Sequence, residues 1–356
     1  MTHLRRTTVT TGLTVAALVL GSGPALAAPL DWTETPTGLK ALLPSAIEYG
    51  SGALWTVGAL DSEEGFRPIA ARWDGTSWKT TPQPVDSGRL LDVAIDRAGR
   101  AWAVGFQQPG GPHAPSRLLV QQWNGRGWKV VPAPAFSDGD SREFVSVGTL
   151  GSQVWMLGSR VNADGATTFV YRYDGKKWTA VNDSVVGTPA YPWDIMPLAR
   201  DNVWVAADDG IKHYDGRRWQ AAELPGDTSE VDLLSLAANG PNDIWAVGHR
   251  DDPKLWRRPV AYHYDGLAWT EVNTPVESAG LTSVDLVNGR PVAVGETGTG
   301  GAYLLRLTGS GFVREADPAG AAFLSSSTVG GGRLWISGAG DGSGSTDSYV
   351  GFTRIR

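Results

Sequence analysis

The chain of 356 residues contains no cysteine. It can therefore form no disulfide bond, and no N-terminal cysteine can carry a lipid anchor. Basic residues are also in deficit, with 31 Lys and Arg against 37 Asp and Glu and a net charge of −6. Because contacts to phosphates need clustered basic side chains, this balance argues against a nucleic-acid partner.

Long apolar segments are equally scarce. The segment from Leu13 to Leu20 follows Arg5 and Arg6 and precedes Ala25-Leu26-Ala27, a pattern typical of a secretory signal peptide over residues 1–27. The segment is too short to span a bilayer, and no second one follows it. The sequence therefore predicts a secreted, extracellular protein with no membrane insertion, exported by either the Sec or the twin-arginine route.

Motifs for catalysis and metal binding are missing too. The chain has neither H-E-x-x-H nor G-x-S-x-G, and His213 and His263 each precede a repeated Tyr-Asp-Gly. The segment from Asp341 to Asp347 could hold calcium through oxygen atoms, but it lacks the alternating acidic ligands, which favours a polar loop. We predict no catalytic residue, no metal site and no cofactor.

What the chain does contain is a short apolar phrase that occurs seven times. Its anchors are separated by 47, 53, 49, 41, 47 and 43 residues, and Gly follows three residues later in all but the fourth copy. A period of this length indicates a repeat architecture whose units bury their faces against one another. The anchors are Trp55, Trp102, Trp155, Trp204, Trp245, Val292 and Trp335.

A second phrase, D-G-x-x-W or N-G-x-x-W, follows the first one in five of the seven repeats. It occurs before Trp78, Trp128, Trp178, Trp219 and Trp269. Asp-Gly and Asn-Gly suit a two-residue type I′ hairpin. In the first copy this turn predicts that Trp73 pairs with Thr76 and Ala71 with Trp78, with both tryptophans on one face.

The sequence of each unit therefore predicts four antiparallel strands, and no segment of it shows the periodicity of a helix. Four-stranded units of this length predict an all-β fold, a seven-bladed β-propeller, rather than a β-helix or two small sandwiches. A single domain covers residues 28–356. Blades 1 to 6 take residues 37–84, 85–134, 135–184, 185–225, 226–275 and 276–318, and blade 7 takes residues 319–356.

The last unit ends without its fourth strand. Residues 30–36 resemble the fourth-strand stretch from Trp269 to Pro275. We therefore expect this N-terminal strand to close blade 7 from the outside, which removes an open sheet edge.

Most of the 16 tryptophans recur at repeat positions or lie on assigned strands, which indicates core packing. Two fall outside the repeat. Trp193 follows Tyr191, and Trp256 lies in a loop with His249, Arg257 and Arg258. These six residues are the predicted ligand-binding candidates, since the repeat does not explain the two tryptophans.

The repeat, as in Ile244-Trp245-Ala246-Val247-Gly248 with Tyr264-Asp265-Gly266-Leu267-Ala268-Trp269, resembles that of secreted bacterial β-propellers, many from actinomycetes. It is also similar to tectonin-type lectin propellers and, more distantly, to kelch-type propellers. The resemblance implies a non-enzymatic protein that binds a glycan or another extracellular protein through loops on one face. The alternative is a carbohydrate-active hydrolase or lyase with its site in the central channel. Nothing in the sequence indicates an oligomeric state.

Overall fold

The computed structural model describes residues 30–38, 42–111, 113–341 and 348–355. The predicted signal peptide and residues 342–347 of the polar segment lie outside them. The described residues form seven four-stranded antiparallel sheets and no helix. The seven first strands pack against one another and line a single central channel, so the predicted seven-bladed β-propeller is confirmed.

Strand numbers follow the chain, and each blade adds its strands from the channel outward. The first, innermost strands are β2 (Leu42–Gly50), β6 (Arg89–Ile95), β10 (Ser141–Leu150), β14 (Pro192–Ala199), β18 (Val231–Gly240), β22 (Ala279–Val287) and β26 (Ala321–Gly330). The second strands are β3 (Ala53–Leu60), β7 (Ala101–Gln107), β11 (Gln153–Asn162), β15 (Asn202–Ala207), β19 (Asp243–Asp251), β23 (Arg290–Thr297) and β27 (Arg333–Gly340).

The third strands are β4 (Arg67–Trp73), β8 (Arg117–Trp123), β12 (Gly165–Tyr173), β16 (Gly210–Tyr214), β20 (Arg257–Tyr264), β24 (Ala302–Thr308) and β28 (Ser348–Arg354). The outer strands are β5 (Trp78–Thr81), β9 (Trp128–Val130), β13 (Trp178–Ala180), β17 (Trp219–Ala221), β21 (Trp269–Glu271), β25 (Gly311–Arg314) and β1 (Trp32–Glu34).

The ring closes as predicted. Strand β1 pairs antiparallel with β28 and is the outer strand of blade 7, with Trp32 opposite Thr353. Thr35 then donates its backbone N–H and its hydroxyl to the Val350 carbonyl, and it accepts the Trp78 indole N–H of blade 1. The N-terminal strand therefore connects the last blade to the first.

The hairpin between third and outer strands differs from the prediction. Trp73 pairs with Trp78 rather than with Thr76, although both rings do share one face, 5.4 Å apart. A type I′ turn needs two residues with positive φ, and only Gly75 has one here. The Asp74 carboxylate instead accepts the N–H groups of the two residues after Gly75, which lengthens the loop to four residues.

A β-bulge interrupts every first strand near its start. At this point in each blade one residue of the first strand has no partner on the second strand, and blades 4, 5 and 7 have a second such irregularity elsewhere in the strand. The extra residues at the shared bulge are Ser45, Leu91, Val145, Trp193, Leu234, Thr282 and Ser325. The bulge explains the Gly of the repeated phrase. A Cβ on Gly248 would lie 1.9 Å from the Asp232 carbonyl oxygen, and the same clash recurs at Gly58, Gly105, Gly295 and Gly338.

Gly248→Ala should therefore destabilise the protein by about 1–3 kcal/mol, because the first strand must shift away from the new methyl group. The Cβ of Gly127→Ala meets no atom within 4 Å, so this variant is the matched control. Urea unfolding of both variants measures the difference. Equal midpoints would contradict the steric explanation of the repeated Gly.

Candidate functional site

Polar side chains immediately after the bulges connect the inner strands into a belt around the channel. Each accepts the backbone N–H of a residue in the next blade, at donor–acceptor distances of 2.8 to 3.3 Å. The six acceptors are Asp92, Ser146, Asp194, Ser235, Ser283 and Ser326, and we call them the belt. Because each bond crosses a blade boundary, the belt holds the inner strands in register.

Blade 1 has no belt acceptor, since Ala46 occupies the position. The N–H of Val93, which a side chain there would bind, is accepted instead by Oδ1 of Asp92 at 2.7 Å. Oδ2 of the same carboxylate accepts the Val147 N–H at 2.8 Å. One aspartate therefore serves two positions of the belt.

Asp92 and Asp194 share a single hydroxyl. The Ser146 Oγ lies 3.0 Å from Asp92 Oδ2 and 3.0 Å from Asp194 Oδ1. A serine hydroxyl has one hydrogen, so it can donate to only one of them, and the other contact needs a proton on a carboxyl group. Burial favours that proton: it raises the pKa of Asp92 to about 7, with the Asp194 charge adding to it, and it raises the pKa of Asp194 as well.

Two further carboxyl groups line the channel one layer below the belt. Glu48 accepts the Thr328 hydroxyl at 3.2 Å, and Asp285 accepts the Ser327 hydroxyl at 3.1 Å. Burial, together with the nearby Asp285 carboxylate, raises the pKa of Glu48 to about 8. Burial likewise raises the pKa of Asp285 to about 7. The channel wall therefore gathers four acidic groups whose pKa values are all raised, so they hold their protons to a higher pH than exposed carboxyl groups do.

The sequence analysis did not identify these residues. A signal is present in the sequence, because an acidic or small polar residue lies 9 or 10 residues before the anchor in six of the seven copies of the repeated phrase. The signal is hard to recognise because these positions lie within otherwise apolar strands. In the structure they bind neighbouring blades, which is a structural role.

Trp193 is the extra residue of the blade 4 bulge, and its ring therefore lies at the mouth of the channel. The channel encloses about 520 Å³. Trp193 is 39% exposed and Tyr191 is 40% exposed, and their ring centroids lie 6.1 Å apart at an angle of 33°. Since the other six extra residues have no aromatic ring, these two side chains form an aromatic pair on one side of the mouth.

The candidates of blade 5 form a second group. Trp256 is 46% exposed, and the Arg257 guanidinium lies 4.6 Å from the centre of its ring. The Arg258 Nε lies 2.9 Å from Asp252 Oδ2. His249 is only 3% exposed, with Nε2 lying 3.2 Å from Asp232 Oδ2, so its ring is not presented to a ligand.

The two aromatic groups lie on the same face of the ring, where outer strands lead into the next blade and second strands lead into third strands. No contact between them occurs among the described residues. Asp208 donates its N–H to the Tyr191 carbonyl, and burial raises the pKa of the Asp208 carboxyl, with Asp209 and Asp232 adding to the effect. Carboxylates therefore outnumber cations beside the aromatic pair, where the Lys212 ammonium pairs with Asp209.

Within the described ranges, no group of three or more His, Asp or Glu side chains is arranged to hold a metal ion. The same residues include no helix long and apolar enough to cross a bilayer.

No family model and no curated protein matches the chain. Solved structures do match it. It is similar to YCF48 from Cyanidioschyzon merolae, with a TM-score of 0.56, 14% identity and coverage of 92% of this chain and 99% of that one. It is also similar to the extracellular domain of a putative one-component system from B. thetaiotaomicron (TM-score 0.60, 14% identity), covering 91% of this chain but only 40% of that one.

A third match is a GH74 xyloglucanase from Xanthomonas campestris, with a TM-score of 0.57, 13% identity and coverage of 90% of this chain and 55% of that one. The chain thus spans about two fifths to a half of the length of two of these proteins. At such low identity the likeness shows the fold alone.

Proposed function

We propose that this protein is a secreted, non-enzymatic protein that binds a carbohydrate at the channel mouth, on the aromatic pair Tyr191 and Trp193. The observation that carries the proposal is the exposure of Trp193. Ten of the eleven tryptophans at repeat positions are buried and Trp178 is half-buried, whereas Trp193 points its ring at the mouth.

The chemistry of the mouth suits a sugar. The C–H face of a pyranose packs on an exposed indole, and carboxylates accept hydrogen bonds from sugar hydroxyls. Asp208, whose N–H binds the Tyr191 carbonyl, supplies such an acceptor beside Tyr191. The resemblance of the repeat to tectonin-type lectin propellers supports the same choice, and the predicted signal peptide supports a location outside the cell.

The belt argues against chemistry deeper in the channel. Its carboxylates already accept hydrogen bonds from the next blade, so a ligand that displaced those bonds would loosen the ring. The mouth, by contrast, presents side chains that no blade needs for its own packing. Binding at the surface of the face is therefore favoured over catalysis inside it.

A glycan array tests the proposal. Trp193→Ala should weaken binding at least tenfold without changing the melting temperature, because the indole is well exposed. Leu267→Ala is the matched control: this side chain is 90% exposed and lies in a hairpin on the opposite face. Trp256→Ala tests whether the second aromatic group extends the site. Unchanged glycan binding by Trp193→Ala would contradict the proposal.

Cleavage of a carbohydrate is the second candidate function, favoured by the spacing of Asp92 and Asp194. Both carboxylates lie 3.0 Å from the Ser146 Oγ, which puts them within about 6 Å of each other. A pair of carboxyl groups about 5–5.5 Å apart is the arrangement of retaining glycosidases. Release of reducing ends from a polysaccharide that is lost in Asp194→Asn would favour this candidate over the first.

A further inference from the structure

Aromatic side chains fill the boundary between neighbouring blades nearly everywhere in the ring. The Trp near the start of a second strand packs against the paired aromatic residues of the next blade's third and outer strands. Trp55 lies 5.0 Å from Trp123 and 5.1 Å from Trp128, measured between ring centroids. The corresponding contacts elsewhere are Trp335 with Trp73 and Trp78, Trp102 with Tyr173, Trp155 with Tyr214, Trp204 with Tyr264 and Trp269, and Trp245 with Phe312.

The boundary between blades 6 and 7 lacks this packing. Val292 takes the place of the second-strand Trp. Thr353 takes the place of the third-strand aromatic residue, because it pairs with Trp32 as Trp123 pairs with Trp128.

A cleft of about 910 Å³ opens at this boundary. This volume is in the range of sites that bind small molecules. Its apolar lining consists of Leu30, Val287, Val292, Leu307, Leu334, Phe352 and Ile355. We call it the 6/7 cleft. It includes residues of the loop between β22 and β23, so it lies on the face opposite the channel mouth.

Three arginines line the 6/7 cleft although the chain as a whole is acidic. Arg306 donates to Glu315 Oε1 at 2.7 Å. Arg290 and Arg354 are exposed, and neither forms an ion pair with any described residue. Asp31 supplies the one carboxylate among the described residues that line the cleft. The polar rim of the cleft therefore carries an excess of positive charge above an apolar floor.

We infer that the 6/7 cleft binds a small amphiphilic anion, with an apolar, preferably aromatic body in the space that indoles fill elsewhere and an acidic group on Arg290 and Arg354. A guanidinium fork pairs well with a carboxylate or sulfonate, and a flat ring replaces the missing side chains without distorting the blades. The site is separate from the carbohydrate site proposed above and does not depend on it.

Two fluorescent probes that share an apolar body test the inference. The anion 1-anilinonaphthalene-8-sulfonate should bind at one site, and the uncharged N-phenyl-1-naphthylamine should bind the same site more weakly. The double variant Arg290→Gln/Arg354→Gln should raise the dissociation constant of the anion at least tenfold and that of the neutral probe less than twofold. The matched control is Arg126→Gln/Arg217→Gln, which removes two hairpin arginines elsewhere.

Restoring the repeat should close the site. Val292→Trp puts an indole into the cleft, so both probes should lose binding while the melting temperature holds or rises. Trp193→Ala should leave both probes unaffected, which separates this site from the channel mouth. If Val292→Trp does not fold, the arginine variants decide alone, since their side chains are exposed. Anion binding that survives Arg290→Gln/Arg354→Gln would overturn the inference.

Discussion

Removal of residues 30–36 should unfold the protein under conditions in which a chain beginning at Leu30 stays native. The deletion strips β1 from blade 7 and exposes the edge of β28. It also removes the two hydrogen bonds from Thr35 to the Val350 carbonyl and the acceptor of the Trp78 indole N–H. Trp32 is half-buried, so the loss of its packing costs part of the roughly 3–5 kcal/mol that deletion of a core Trp costs, against the roughly 5–15 kcal/mol that stabilises a typical domain.

Thermal unfolding followed by tryptophan fluorescence measures this effect. The variant Thr35→Val tests the side-chain hydrogen bonds of Thr35 apart from the strand itself, because valine keeps the backbone pairing and lacks only the hydroxyl. This variant should cost about 1–2 kcal/mol, since the Trp78 N–H is left without an acceptor. If the deletion melts within 2 °C of the chain beginning at Leu30, the ring does not depend on its closing strand.

The fold could be predicted because the repeated residues are those that pack in the same way in nearly every blade. The spacing of the Trp phrase set the number of blades, and the likeness of residues 30–36 to the stretch after Trp269 set the closing strand. Both inferences compare positions within one chain, so they need no knowledge of side-chain contacts. They were confirmed by the strand pairing.

Features that depend on local geometry were harder to predict. The pairing of Trp73 with Trp78 follows from a carboxylate that accepts two backbone N–H groups, an interaction that competes with the turn usually favoured by Asp-Gly. The bulge that places Trp193 at the channel mouth is invisible in the sequence, because one unpaired residue leaves the period of the repeat unchanged. The two exposed tryptophans were nevertheless found, since the repeat did not account for them.

The belt was not predicted from the sequence for a different reason. Asp92 and Asp194 read as polar residues in an apolar strand, and nothing in the sequence says that they accept N–H groups from adjacent blades. The 6/7 cleft was overlooked for the opposite reason. Val292 is one of the seven anchors of the repeat, and the cleft beside it appears only when Phe352 and Thr353 of the next blade are placed around it.

Stability should fall as the pH rises from about 5 to 8, because the channel acids bind protons more tightly in the folded chain. Glu48 has a pKa of about 8 in the fold against an ordinary value of 4.5, and Asp92 and Asp285 have pKa values of about 7 against 3.8. Each raised pKa contributes stability that is fully present below the unfolded value and is lost as the pH passes the folded one. Because these carboxyl groups interact, the pH values at which they lose their protons describe the cluster as a whole and not single residues.

The hairpin aspartates act in the opposite direction at lower pH. Backbone N–H donors hold the pKa values of Asp174, Asp215 and Asp265 below their ordinary range. Their contribution is present above the unfolded pKa and is lost as the pH falls below about 4. The free energy of unfolding should therefore peak between about pH 4 and 6 rather than at neutral pH.

The variant Glu48→Gln removes the channel acid with the highest pKa, and it therefore tests the largest contribution to the predicted loss of stability above pH 5. The amide keeps an oxygen that can accept the Thr328 hydroxyl, and it cannot ionise. At pH 8 the variant should be more stable than the wild type by a few kcal/mol, and at pH 5 the two should agree within about 1 kcal/mol. Urea unfolding at pH 5, 6, 7 and 8 measures both curves, with the exposed Glu271→Gln as the control that should follow the wild type. A wild-type stability that rises from pH 5 to 8, or a Glu48→Gln curve as steep as its parent, would show that the channel acids are already ionised in the fold.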